Sequence, residues 1–197
     1  MTELLRSAVV LFAALTLLTG IGYPLLVTAL GQSLFPAEAN GSLIRDGKRV
    51  LGSTWIGQAR SDPRFFWSRP SATGALPFDA AASSGSNLGP SNPALHAAVA
   101  ARIETLRTAR GPAGPVPADL VTTSASGLDP HISPAAANYQ APRVARARGI
   151  PEETVLRLIG THTEGRSFGL LGEPRVNVLL LNLDFDLERS AGSSRRE

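Results

Sequence analysis

The sequence predicts an α+β protein: one amino-terminal membrane-spanning helix, then a single folded domain with a small mixed or antiparallel sheet and helices packed on it. Three observations carry this. No charged side chain occurs from Ser7 to Ala37. Two helix starts of the type Asn-Pro or Ser-Pro and one Pro-Glu-Glu start each open a stretch with apolar residues at helical spacing. An Asp-Gly turn and an alternating carboxy-terminal run supply the strands.

In chain order, residues 1–37 form the anchor. Ala8 to Leu18 reads AVVLFAALTLL, apolar except for Thr16. About 20 such residues cross a hydrocarbon core as a helix, and the helix satisfies its own backbone groups in lipid. The span is expected over about residues 8–30. Gly20, Gly22 and Pro24 interrupt it, which costs less where a neighbouring helix packs close. The competing reading is a cleaved signal peptide ending near Val27-Thr28-Ala29, but its apolar core needs only about 7–15 residues. The uncharged stretch here is longer, so a permanent anchor is expected. Arg6 lies on one side and Arg45, Lys48 and Arg49 on the other, and this balance does not set the orientation.

Residues 38–190 read as one domain without repeats, and residues 191–197 as a disordered tail. Leu43 to Val50 carries Asp46-Gly47, a hairpin signal, with Ser53 to Gln58 expected to extend the sheet. Phe65-Phe66-Trp67 sits between Pro63 and Pro70 and reads either as a core plug or as a docking surface with arginine flanks. Asn92 caps a helix that opens at Pro93, places Leu95, Val99, Ile103 and Leu106 on one face, and stops at Gly111. Ser133-Pro134 opens a second helix, which Pro142 is expected to break, and Pro151-Glu152-Glu153 a third. From Arg175 to Leu187, alternation places Leu179, Leu181, Leu183, Phe185 and Leu187 opposite Asn182, Asp184 and Asp186. That pattern predicts a strand covered on one side, interior over its first half.

The chemistry is read mostly from what the sequence lacks. The chain has 19 basic and 16 acidic residues and no cysteine, so disulfides and thiolate chemistry are excluded. The arginines are scattered among acids and turns, unlike a phosphate-tracking face, and nucleic acid is not an expected partner. There is no GxxxxGK[ST], GxSxG or HExxH pattern. His96 reads as a surface side chain and His162 as a helix-end imidazole. Asp129, His131 and Ser126 or Ser133 supply the residue types of a hydrolase relay. The plainer reading has Asp129 forming a turn before Pro130 and Ser133 capping the next helix. A membrane-anchored hydrolase and a cleaved extracytoplasmic binding module are the alternative function classes.

Several blocks carry a family resemblance: WSRPSA from Trp67, SGSNLGPSNPAL from Ser84, VPADLVT from Val116, SGLDPHISPAA from Ser126, Gln140 with Arg143-Val144-Ala145, and LGEPRVNVLLLN from Leu171. In this order they resemble the C subunit family of the Kdp potassium-transporting P-type ATPases, along nearly the whole chain. Ser84-Gly85-Ser86-Asn87 has one glycine fewer than the family pattern, and Ala125 stands where a second glycine is common, so the resemblance alone does not make those glycines individually required.

The resemblance implies a non-catalytic subunit of a bacterial inner-membrane complex, single-pass, with its folded domain on the extracytoplasmic side. It implies as partners a channel-like potassium-binding subunit and a P-type subunit that hydrolyses ATP. It also implies a chaperone-like role that raises ATP affinity, with no cofactor of its own; ATP, Mg and potassium are handled by the other subunits. The candidate interface or loop-ordering residues are Ser86, Asn87, Gly89 and Asn92 in the first loop, Gly127, Asp129 and His131 in the second, Gln140 and Arg143 on the second helix, and Glu173, Arg175 and Asn177 in the last block.

Overall fold

The computed structural model describes residues 1–111 and 114–193. It divides into two compact units, Met1–Leu51 and the chain from Gly52 onward. In the first, α1 (Thr2–Leu17), a π-helical turn (Leu18–Gly22) and α2 (Tyr23–Leu34) form one uninterrupted helical path. Its 33 residues rise about 50 Å at 1.5 Å each, more than a hydrocarbon core of about 30 Å requires. Pro24 follows directly on the π-helical turn, the kind of local adjustment that lets a spanning helix tolerate a proline. Thr19 and Ser33 donate their hydroxyls to the carbonyls of Leu15 and Ala29, at 2.8 and 2.7 Å, so these two hydroxyls are satisfied within the helix. A short α3 (Pro36–Ala39) leads to the hairpin of β1 (Leu43–Asp46) and β2 (Arg49–Ser53). Gly47 supplies the positive φ, +58°, that its turn demands.

The expected extension of this sheet to Gln58 does not form. β2 ends at Ser53, whose Oγ and carbonyl accept from the backbone N–H groups of Trp55 and Ile56, and the chain turns away.

The second unit is built from α4 (Pro93–Arg110), β3 (His131–Ile132), α5 (Pro134–Arg148), α6 (Glu152–Thr161), β4 (Thr163–Glu164), β5 (Arg175–Asn177) and α7 (Val178–Ser193). The strands form an antiparallel sheet in the order β3-β5-β4, with His131 opposite Asn177 and Thr163 opposite Val176. The α+β class holds. Asn92 and Ser133 cap α4 and α5 as expected, accepting from Ala94 and Ala136 N–H at 2.9 and 3.0 Å.

Two further expectations are corrected. Pro142 lies inside α5 without ending it. Proline costs about 3 kcal/mol in a helix interior, but Ala141 before it and Val144 and Ala145 beyond it are buried in the core, and that burial holds the last turns. The strand expected to Leu187 is only three residues long and lies at the centre of the sheet; from Val178 the chain is helical. The Asn177 side chain accepts from Leu179 and Leu180 N–H at 3.1 and 3.2 Å, which is an N-cap. After Val178 no β-branched residue opposes helix, and leucine favours it. Val178, Leu181, Asn182 and Phe185 are buried at helical spacing. Of the tail expected at 191–197, residues 191–193 continue α7 and 194–197 lie outside the described residues.

Between Thr54 and Asn92 the regular structure is one 3-10 turn, Ala80–Ala82. This irregular stretch is held by side chains that imitate a neighbouring strand. Asn182 on α7 accepts from Phe66 N–H at 2.8 Å and donates to the Phe66 carbonyl at 3.0 Å. Gln140 on α5 does the same for Trp67, at 2.8 and 3.1 Å. Arg143 donates to the Pro63 carbonyl at 2.6 Å and to Gln140 Oε1 at 2.7 Å, with its guanidinium 4.0 Å from the Trp67 ring centroid. Burial pushes the Arg143 pKa down to about 10. Phe66 is fully buried, 5.8 Å from the Phe185 ring. The aromatic segment is therefore a core plug at Phe66, with Phe65 and Trp67 half-buried beside it.

Replacing Asn182 with alanine strands a buried donor and a buried acceptor of Phe66. The expected loss is about 2–4 kcal/mol, read as a lower urea midpoint for the full chain in detergent micelles. Gln140→Ala is expected to cost at least as much, because Arg143 loses a partner as well.

Candidate functional site

Three turn-rich blocks converge on β3 and β5. In the first, Ser84 N–H donates to the Ser126 carbonyl at 3.0 Å, and Thr123 Oγ1 to Ser86 Oγ at 3.3 Å. A Cβ on Gly85 would fall 2.9 Å from the Ala125 carbonyl oxygen, and one on Gly127 only 2.5 Å from that of Ser84. Gly127 also has φ +68°. Both glycines are thus individually required by close backbone approach, a point the loosened family pattern left open. Gly89 differs: its carbonyl accepts from Asn92 N–H at 3.0 Å, but nothing crowds its α-carbon.

The second block reaches inward through Ser71 and Thr73, two hydroxyls that the sequence reading did not single out. Ser71 Oγ donates to the Gly127 carbonyl at 2.7 Å and accepts from Phe78 N–H at 2.9 Å. Thr73, almost fully buried, donates to the Leu76 carbonyl. Arg69 is the other omission; it reaches Asp129 Oδ2 and the Thr123 carbonyl, each at 3.3 Å. The signal for Arg69 and Ser71 was their place in the WSRPSA block, which stops one residue short of Thr73.

Asp129 accepts from His131 N–H at 3.0 Å, the Asx turn expected before a proline, and its Oδ1 lies 3.2 Å from His131 Nδ1. The would-be nucleophiles are committed elsewhere: Ser126 Oγ accepts from Leu128 N–H at 3.1 Å, and Ser133 Oγ from Ala136 N–H. Asp119 in the VPADLVT block accepts from Ser133 N–H at 2.7 Å. The geometry favours two turns and a helix cap over a hydrolase relay. His96 is exposed on α4, and His162, past the end of α6, pairs with Asp184 at 2.8 Å.

The third block joins the second through the β3-β5 pairing and through Val178 N–H donating to the Pro130 carbonyl at 3.0 Å. Asn177 is buried, and its Nδ2 donates to the Thr54 carbonyl at 2.8 Å. Glu173 and Arg175 stay at the surface, paired with Arg166 at 2.8 Å and with Glu164 at 2.9 Å.

The candidate residues therefore separate into two sets. Asn92, Gly127, Asp129, His131, Gln140, Arg143 and Asn177 are occupied in ordering the fold, as is the Gly89 carbonyl that accepts from Asn92 N–H. Ser86, Asn87, Glu173 and Arg175 present side chains to solvent. Asn87 has φ +51°, a conformation asparagine tolerates better than most residues, and its exposed side chain has no hydrogen-bond partner among the described residues.

A model of the K+-transporting ATPase c chain family matches residues 5–187. The chain belongs to this family. Among curated proteins, it is 63% identical over 191 residues to the potassium-transporting ATPase KdpC subunit of Methylibium petroleiphilum, covering 96% of this chain and 100% of that protein. It is 61% identical over 183 residues to the KdpC subunit of Sorangium cellulosum, covering 92% and 96%. With that of Polaromonas naphthalenivorans it shares 63% over 188 residues, covering 94% and 95%. The family match thus spans both the membrane-length helix and the interlocked loops of the second unit.

Burial raises the Asp129 pKa, but the hydrogen bonds from the His131 ring and backbone and the nearby Arg69 charge outweigh it, so the net direction is downward. A carboxylate held below its unfolded value, near 3.9, contributes stability that is complete above about pH 4 and lost as pH falls through the folded value. Acid unfolding of the full chain between about pH 5 and pH 2 is expected to show a shallower acid limb for Asp129→Asn than for the unaltered protein.

Gly127→Ala is expected to destabilise by about 2 kcal/mol or more, from strain and contact together. Chemical denaturation of the same preparations measures it.

Proposed function

We propose that the protein is a non-catalytic accessory subunit of an ATP-driven potassium-uptake complex in a bacterial inner membrane. Its amino-terminal helix tethers a rigid body on the extracytoplasmic side, and that body assembles with a channel-like potassium-binding subunit and a P-type subunit that hydrolyses ATP. The observation that carries the reading is the locking of loops 84–95, 126–134 and 171–177 to one another. Such a surface is held in one shape, with its Asp129, Ser126 and Ser133 side chains engaged in turns and a helix cap. Loop residues on a rigid scaffold are where recognition is usually placed.

In this reading ATP, Mg and potassium are handled by the other subunits, and this chain needs no cofactor. A rise in the ATP affinity of the hydrolysing subunit then reaches the nucleotide through the complex, as a coupling free energy between separate sites. An extracytoplasmic body has no direct access to cytoplasmic ATP.

Three measurements test this. Photo-crosslinking of labelled ATP is expected to mark the hydrolysing subunit of the intact complex and to leave this chain unmarked; efficient specific labelling of this chain overturns the indirect route. Protease added to intact spheroplasts is expected to cleave the folded body. Asn87→Ala is expected to leave folding of the full chain unchanged while reducing its recovery with the complex several-fold; loss of folding instead assigns Asn87 to loop ordering alone.

A further inference from the structure

The connection between β4 and β5 ends in a tip that the second unit does not use. Phe168, Leu170 and Leu171 are 95, 79 and 65% exposed. Exposed large apolar side chains gathered in so short a segment mark an interaction site. The tip is nonetheless built with care. Ser167 N–H donates to the Leu171 carbonyl at 2.8 Å, Leu171 and Leu170 N–H return to Ser167, and Gly169 N–H donates to Arg166. At its base Arg166 pairs with Glu173, and Arg175 with Glu164. From Ser167 to Gly172 there is no charge at all.

We propose that this tip is a docking finger that inserts Phe168, Leu170 and Leu171 into an apolar, uncharged cleft on another subunit of the transport complex. The inference rests on the assembly reading above and gives it a specific anchor. Two features favour a protein cleft over a lipid surface. Phe168 adopts φ +54°, an uncommon conformation for a bulky residue, and strain of that kind persists where a side chain must point in one direction. A bilayer has no shape to match, whereas a cleft does. The base also offers no unpaired cation to lipid phosphates, because both arginines face carboxylates, and such a neutral rim around an apolar centre is the usual anatomy of a protein interface. The closed hydrogen bonding keeps the tip rigid, which lowers the ordering cost of docking.

The chain contains no cysteine, so single cysteines report without background. Leu170→Cys carrying a benzophenone maleimide, in the full chain within the intact complex, is expected to form an adduct with a companion polypeptide. The same label at Leu76→Cys, also an exposed leucine, is the control and is expected to give none. Leu170→Asp is expected to lower recovery of the chain with the complex by about tenfold or more, with its unfolding midpoint unchanged and Leu76→Asp recovered normally. Adducts with lipid alone, adducts with a second copy of this chain, or normal recovery of Leu170→Asp each overturn the finger. If the unaltered chain is not recovered with the complex, the assembly reading falls as well; if it is recovered and Leu170→Asp is equally recovered, only the finger falls.

Discussion

The pairing of two side-chain amides with one stretch of backbone is the constraint on which the second unit depends. Phe66 and Trp67 lie in a segment with no strand partner, yet their N–H and C=O groups are removed from water, and buried backbone groups must be paired. Asn182 and Gln140 present a donor and an acceptor side by side, as a strand edge would. They sit on α7 and α5, so the irregular segment is tied to two helices at once. Arg143 completes the arrangement by bonding both Gln140 and the chain entering it. Once Phe66 is fixed in the core, the residues that follow reach the loops: Arg69 meets Asp129, and Ser71 meets Gly127.

This explains how so small a sheet supports an ordered surface. Strands of two or three residues contribute few ladder bonds, and such elements are not stable alone. Here most of the ordering comes from buried polar side chains on helices, each satisfied by backbone. That choice is demanding, because an unpaired member costs more than the pair contributes. It also makes the loops stiff, since their bonds run to the core and not only along the surface.

Much of this was legible in the sequence. The caps at Asn92 and Ser133, the Asp46-Gly47 turn, the Asx turn at Asp129 and the apolar first helix follow from local chemistry that acts within a few residues. What could not be read depends on distant partners. Leu179 to Leu187 alternates as well as it winds, and only the use of Asn177 as a cap decides for helix. Pro142 is tolerated because tertiary burial overrides the local penalty. The roles of Gln140 and Asn182 were hidden because the residues they serve are 73 and 116 positions away. What the glycines at 85 and 127 are needed for shows only once the opposing backbone is in place.

The π-helical turn at Leu18–Gly22 has its own consequence for the anchor. Each such turn takes in one residue more than an α-helical turn, and one residue corresponds to about 100° of rotation about the axis. Side chains before Leu18 and those after Gly22 therefore do not continue one straight stripe along the rod. The two halves show different azimuths to their surroundings, and no seam with a regular seven-residue repeat runs through its full length.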